Sequence, residues 1–348
     1  MSVTEQNNSR NNADRIRTAV KQRDYYFDNL KAVLIFLVIM GHLVRRIRTD
    51  LFFEVRDFIY LFHMPLFIFV SGYFSKGFYK GGKYRWYKLI NFLILFVLYV
   101  TLVQISYVIF QHDAFNPKAY IIQSGAPWYL LCMFYWYALI PLARKLPGWI
   151  LIPFSLIPSA LAGRFPQIGT FLCLSRAIIF WTFFLMGYYC THGQIERLRQ
   201  PDLRLLSLLC GGLTGAVFHL FRNKFPGWAY IIFARYSYDE LEISTAGGIL
   251  LRLAITLAAV LFFMGLMALI PSGKTPVSHV GRDTLPIYIL HRPFVVAAGA
   301  MGLFEAVPDD SILSVLLFAV LTLLLVRLLS RPLIVKGFGS FVRLLGVR

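Results

Sequence analysis

The chain has 348 residues, 58% of them apolar, 16% aromatic and only 15% charged, with a mean hydropathy of +0.64. Soluble domains carry roughly 25% charged residues, so this composition excludes an ordinary soluble protein and points to an integral membrane protein. The formal charge of +18 does not argue for nucleic acid, because no basic motif of a known reader is present and polytopic proteins gather Lys and Arg in cytoplasmic loops for reasons of topology.

Residues 1–24 are polar and lack an apolar core with a cleavage site, so they read as a flexible cytoplasmic lead rather than a signal peptide. Apolar runs of spanning or near-spanning length follow at 28–44, 57–75, 89–110, 127–143, 149–163, 170–190, 205–221, 244–270, 284–303 and 311–330. They predict an all-α, polytopic helical bundle of about ten transmembrane helices. The run at 149–163 is the shortest and contains proline. Lys and Arg concentrate on the side of the N-terminus, which predicts that both termini are cytoplasmic. The strongest anchor is "KGFYKGGKYRWYK", Lys76 to Lys88, a stop-transfer signal or a docking surface for an anionic cytosolic substrate. The expected division is a tail at 1–24, a transmembrane domain at 25–335 and a basic cytoplasmic tail at 336–348.

The first span, "YYFDNLKAVLIFLVIMGHL", carries Asp28, Lys31 and His42. Eleven helical steps separate Lys31 from His42, a turn of about 1100° and a rise of about 16 Å, so the two share a face at different depths. Asp28 lies at i,i+3 from Lys31 and can pair with it. A snorkelling lysine and an interfacial histidine are the bland alternatives.

The second span contains "FHMPLFIFVSGYF". Pro65 has no N–H and presses on the carbonyl of Leu61, so a kink is expected beside His63. Freed backbone groups at membrane depth must meet protein or a water-filled cavity. The residues therefore predict a polar cavity in the outer half of the bilayer, faced by His42 and His63, unless His63 merely caps a freed carbonyl.

Further along, the four cysteines Cys132, Cys173, Cys190 and Cys210 lack CxxC spacing and read as packing residues. "GGLTG" at Gly211 to Gly215 reads as helix packing. "SGKT" at Ser272 to Thr275 lacks the upstream glycine of a P-loop and is rejected as one. Arg176 and Arg252 stand well inside apolar runs, and "GRDTLPIYILHRPF" adds Tyr288, His291 and Arg292. Intramembrane guanidiniums with few acids to pair them imply an anionic ligand or acceptor carbonyls. No metal is expected, since the histidines lack carboxylate or thiolate partners at ligand spacing.

In order, a basic residue followed by ten residues and a histidine (Lys31, His42), "FHMPLFIFVSGYF", "PWYL" at Pro127 to Leu130 and "TLPIYILH" at Thr284 to His291 resemble the acyltransferase 3 family of bacterial membrane proteins, in particular its fucose 4-O-acetylase-like branch. Lys31 stands where arginine is frequent in that family. The chain ends at Arg348 without the soluble hydrolase-like domain of some relatives, so the chemistry is expected in the membrane core. The resemblance implies an enzyme of the bacterial inner membrane that moves an acyl group, usually acetyl, from cytosolic acetyl-CoA to a hydroxyl of a cell-envelope or lipid-linked polysaccharide. The implied partners are acyl-CoA, the glycan and membrane lipids. It implies further that His42 is the general base or acyl relay and that His63 orients it or shares the proton. Asp28 and Lys31 would organise the CoA mouth. Arg176, Arg252 and Arg292 would hold thioester, phosphate or glycan oxygens near Tyr288 and His291, and Trp128 and Tyr129 would form an outer stacking platform for a sugar. The rival reading from another class is a saccharide transporter or flippase, which also has kinked helices and intramembrane Arg and His.

Overall fold

A computed structural model describes residues 25–122, 125–224, 226–306 and 310–347. The lead expected at 1–24 lies outside the described residues. The chain is an all-α membrane protein, and its helices in order are α1 (Tyr26–Val44), α2 (Asp50–Ser75), α3 (Tyr87–Gln111), α4 (Trp128–Ala138), α5 (Ile140–Lys145), α6 (Gly148–Leu161) and α7 (Leu174–Tyr189). They continue with α8 (His192–Leu198), α9 (Pro201–Lys224), α10 (Thr245–Leu269), α11 (Ser278–Arg282), α12 (Thr284–Ala300), α13 (Ile312–Leu329) and α14 (Pro332–Leu344). Among the described residues, six helices are long and apolar enough to cross a membrane: α1, α2 with its 3₁₀ extension to Phe78, α3, α9, α10 and α13.

Several boundaries differ from the apolar runs for local reasons. Helix α2 begins at Asp50, before its apolar run, and its added polar part carries the Arg56–Asp57 pair. The run at 127–143 divides into α4 and α5 around Leu139, with Pro141 in the first turn of α5. The proline-containing run at 149–163 is nonetheless helical as α6, with Pro153 and Pro158 inside. The anchor after α2 folds into a two-residue hairpin, β1 (Tyr79–Lys80) against β2 (Lys83–Tyr84), turned by Gly81 and Gly82 at positive φ. Residues 336–344 of the expected tail are helical within α14, which buries Phe338 and Val342.

Helix α1 is the most enclosed span and packs against α2, α11, α12 and α13. Helix α2 makes its broadest contact with α7. Gly72 and Gly187 form that crossing: a Cβ on Gly72 would run into the Phe184 carbonyl, and one on Gly187 into the Phe69 carbonyl. Without a hydrophobic drive between helices in lipid, such close approach of small residues is what holds spans together. The same device joins α9 to α10, where a Cβ on Gly211 would lie 3.4 Å from the Cα of Gly265, so Gly211 of "GGLTG" serves packing.

The loop 271–283 is fixed to the start of α1 by Asn29. Its amide Nδ2 donates to the carbonyls of Pro271 (2.8 Å) and Gly273 (2.9 Å), while its Oδ1 accepts from Thr275 (2.7 Å) and Ser278 (2.6 Å). The "SGKT" residues are thus a structural turn. Asn29→Ala is expected to lower stability by about 2 to 4 kcal/mol, near 1 kcal/mol per hydrogen bond, read as a drop in melting temperature of the purified protein.

Candidate functional site

Seen from the middle of α1, the polar residues divide between two ends of the bundle. At one end, Lys31 Nζ lies 3.2 Å from Asp28 Oδ1, one helical turn away, and 5.7 Å from the Phe74 ring. Gly281 of α11 presses on the Asp28 carbonyl, where a Cβ would collide. These contacts make a mouth of α1, the end of α2 and the 271–283 loop. The hairpin lies on the same segment that leaves α2.

At the other end, His42 in the last turn of α1 faces a cavity of about 40 Å³, large enough for a few waters. The same wall is built by Arg45 just after α1, Tyr60 and His63 from α2, Trp128 from α4, Arg176 from α7, Tyr288 from α12 and Phe233 from the 3₁₀ segment Pro226–Phe233. His42 and His63 therefore meet in one space, although they come from separate spans. Pro65 sits inside a helix that continues to Ser75, and the His63 Nδ1 bonds at 2.7 Å to the carbonyl of Ile59, not to that of Leu61, which Pro65 deprives of its donor.

The third imidazole is His291, fully buried, whose ring lies 5.2 Å from that of His42. Its Nδ1 meets the Tyr288 carbonyl at 2.7 Å. A carbonyl only accepts, so in both His63 and His291 the proton sits on Nδ1 and the lone pair on Nε2. His291 Nε2 is buried without a hydrogen-bond partner among the described residues. His42 makes no hydrogen bond among the described residues, so its ring is constrained by neighbours rather than by a bond. The sequence groups His291 with the substrate contacts; its position is against His42. Among the described residues no three His, Cys, Asp or Glu side chains are arranged to hold a metal ion.

Of the arginines, Arg292 lies near enough to act electrostatically on His42 and Tyr99. Its NH2 donates to the Tyr107 hydroxyl at 3.4 Å, and its Nε is buried without a hydrogen-bond partner among the described residues. Arg176 lines the cavity and also donates from Nε to the Phe233 carbonyl at 3.2 Å. Arg252 is away from the cavity wall, where its NH1 donates to the Ile231 carbonyl at 2.5 Å. It tethers a carbonyl between elements, the alternative that the sequence leaves open for each intramembrane arginine.

Trp128 stacks on Phe180 at 5.3 Å and carries the Arg176 guanidinium 5.2 Å from its ring, so both compete with a sugar for its faces. Tyr129 is not at the outer surface: its hydroxyl bonds Ser71 Oγ at 2.6 Å, and its ring meets Phe67 and Tyr288. Tyr288 donates its hydroxyl to the Ala126 carbonyl. Sequence reasoning missed Arg45, Tyr60 and Phe233. The first two were within reach, since Arg45 is at i,i+3 from His42 and Tyr60 at i,i+3 from His63. Phe233 comes from a distant segment and leaves no local signal.

A family model described as an acyltransferase domain, acyltransferase 3, matches residues 24–331. Two curated proteins are similar over a short stretch. The nodulation protein NolL of Sinorhizobium fredii is 47% identical over 60 residues, 16% of this chain and 16% of that protein. The nodulation protein NolL of Mesorhizobium japonicum is 50% identical over 60 residues, with the same shares. No solved structure matches.

Proposed function

The chain belongs to the acyltransferase 3 family, and on that premise we infer that it is an acyl-CoA-dependent O-acyltransferase acting on a glycan hydroxyl, with His42 as general base. The observation that carries this reading is the cavity at the end of α1, where His42 stands beside His291 and His63. A hydroxyl is a weak nucleophile at neutral pH, and histidine is the side chain suited to take its proton. In the reading, the acceptor O–H gives its proton to His42 as the new C–O bond forms at the acyl carbon. The C–S bond then breaks, CoA leaves as thiolate, and the proton held by His42 passes to that sulfur. Arg292, with an unpartnered buried Nε, is suited to the negative charge that grows on the thioester oxygen. When His42 takes up the proton it gains a second N–H, and the unpartnered Nε2 lone pair of His291, on a ring 5.2 Å away, is placed to accept from it.

Ten crossings with both termini cytoplasmic accommodate this chemistry. The shorter α4–α5 pair, α6, α7 and α12 would then complete the six long spans, and the basic hairpin would face the cytosol. Lys31 and Asp28 would lie at the entry for acetyl-CoA, about 16 Å from His42 along the helix axis. The bacterial inner membrane is the compartment that such a donor and acceptor require.

The test is a nanodisc assay of the purified chain with labelled acetyl-CoA and a lipid-linked glycan extract. CoA release together with labelled glycan is the expected result. Absence of CoA release, with movement of glycan across proteoliposomes, overturns the reading in favour of transport. Lys31→Gln is expected to raise the KM for acetyl-CoA about tenfold, as for loss of one charge-assisted contact, with kcat little changed.

A further inference from the structure

Positive charge is concentrated where the chain leaves α2. Lys76, Lys80, Lys83, Arg85 and Lys88 follow one another there, and Arg144 and Lys145 close α5. Between residues 58 and 195 the sequence holds a single carboxylate, Asp113, which lies just past the opposite end of α3. At the hairpin's own end of the bundle, Asp28 pairs with Lys31 at 3.2 Å, Glu196 with Arg199 at 2.9 Å and Asp283 with Arg282 at 3.0 Å. The cations from Lys76 to Lys88, Arg144 and Lys145 make no ion pair among the described residues.

The charge sits on a built support. Phe78 is fully buried against Tyr137 of α4, 5.2 Å between ring centroids, and against Trp86 at 5.4 Å. Its carbonyl accepts from the Arg85 N–H at 2.9 Å, and Lys76 Nζ donates to the carbonyl of Cys190, just past α7. The base of the hairpin is thereby fixed to the bundle. On one face Tyr79 pairs across the strands with Tyr84, and the Arg144 guanidinium lies 3.3 Å from the Tyr79 ring centroid. A guanidinium held by its face keeps the N–H groups of its edge for an oxyanion. Strand residues alternate in direction, so the next cross-strand pair, Lys80 with Lys83, belongs to the other face. Both lysines are exposed, and like charges directly opposite one another destabilise a hairpin. An anion between them relieves that cost.

Cations on both faces exceed what one small anion covers and fit a layer of phosphates. The residues beside them are apolar and exposed: Trp86 and Ile90 at the start of α3, Leu142 of α5 and Trp149 of α6. Tryptophan favours the headgroup depth of a bilayer. An anionic phospholipid matches both kinds of surface, with phosphate for the cations and chains for the apolar side chains.

We propose that the β1–β2 hairpin and the end of α5 form a docking surface for anionic phospholipid, with phosphates at Lys80, Lys83 and Arg144 and acyl chains along Trp86, Ile90 and Trp149. Nothing in this assignment depends on acyl transfer. It makes the charge of the leaflet, besides its thickness, a determinant of how the protein is seated.

The test places the full chain in phosphatidylcholine nanodiscs with a trace of either phosphatidylglycerol or phosphatidylcholine that carries a diazirine in one acyl chain. Cross-links are mapped by peptide mass spectrometry. Peptides covering 84–97 and 139–150 are expected to take up the glycerol probe about tenfold or more over the choline probe, since each cation near anionic lipid is worth about fivefold. Peptides of α13 should take up both equally. Lys80→Gln, Lys83→Gln and Arg144→Gln together should bring the ratio to within about twofold of unity. Arg331→Gln, Lys336→Gln and Arg343→Gln, which remove the same charge at and around α14, should leave it unchanged. Melting temperatures are measured for both triple variants, and the comparison of the two probes on the wild type stands without either. Equal uptake of the two probes by the wild type overturns the proposal in favour of an ordinary lipid contact. An equal fall in both triple variants overturns it in favour of diffuse attraction. Loss of the glycerol-probe signal on addition of acetyl-CoA overturns it in favour of a soluble phosphate ligand.

Discussion

Replacing His42 by alanine is expected to reduce acyl transfer by about 10²- to 10⁴-fold, the contribution of a positioned general base, without unfolding the protein. His42 makes no hydrogen bond among the described residues, and it borders open space, so truncation removes chemistry rather than a structural tie. His291→Ala should lower kcat by about tenfold, the value of one orienting hydrogen bond, with the KM for acetyl-CoA retained. A merely structural role for His291 would instead lower the melting temperature and the active fraction while leaving kcat per folded molecule unchanged. His63 is held by its own backbone through Ile59, so His63→Ala should fall between these two. CoA release followed in parallel with thermal melting checks all three. If folded His42→Ala transfers acetyl at the wild-type rate, His42 is not the base.

A large stability effect is expected at the crossing of α2 and α7. Gly187→Ala should cost about 3 kcal/mol or more, the upper range of overpacking, because the obstruction is the Phe69 carbonyl and not a side chain that can turn aside. Gly72→Ala meets the Phe184 carbonyl and should cost a similar amount. The double substitution should be less than additive, since both push the same two helices apart. Gly212→Ala is the comparison: nothing lies near its position, and alanine favours a helix, so its effect should stay within about 0.5 kcal/mol. Thermal melting of the purified variants reads these differences. Since His63 and Tyr60 lie on α2 and Arg176 on α7, separating this pair should also reduce activity.

Some of the site was legible because it is local. The Asp28–Lys31 pair is one helical turn long, and helical geometry alone predicts it. The separation of Lys31 from His42 by depth follows from the rise of a helix. Polar residues in apolar runs could be singled out because each is expensive in lipid. Helix ends were less legible, since α2 starts at Asp50 in a polar stretch that hydropathy does not mark. The roles of the arginines were not legible at all. Arg176 and Arg252 look alike in sequence and both tie carbonyls of the 227–243 segment, yet only Arg176 of the two lines the cavity.

The sequence by itself determined the membrane class, the all-helical architecture and the candidacy of His42 and His63, because composition, periodicity and the expense of buried charge act on one segment at a time. Only the tertiary structure decided that His291 stands against His42 and that Phe233 walls their cavity. Each of these joins residues far apart in the chain, such as His42 with His291 and Arg252 with Ile231. The packing that sets them depends on close approaches like Gly72 to Phe184 and Gly281 to Asp28, where a single missing Cβ fixes how two helices meet.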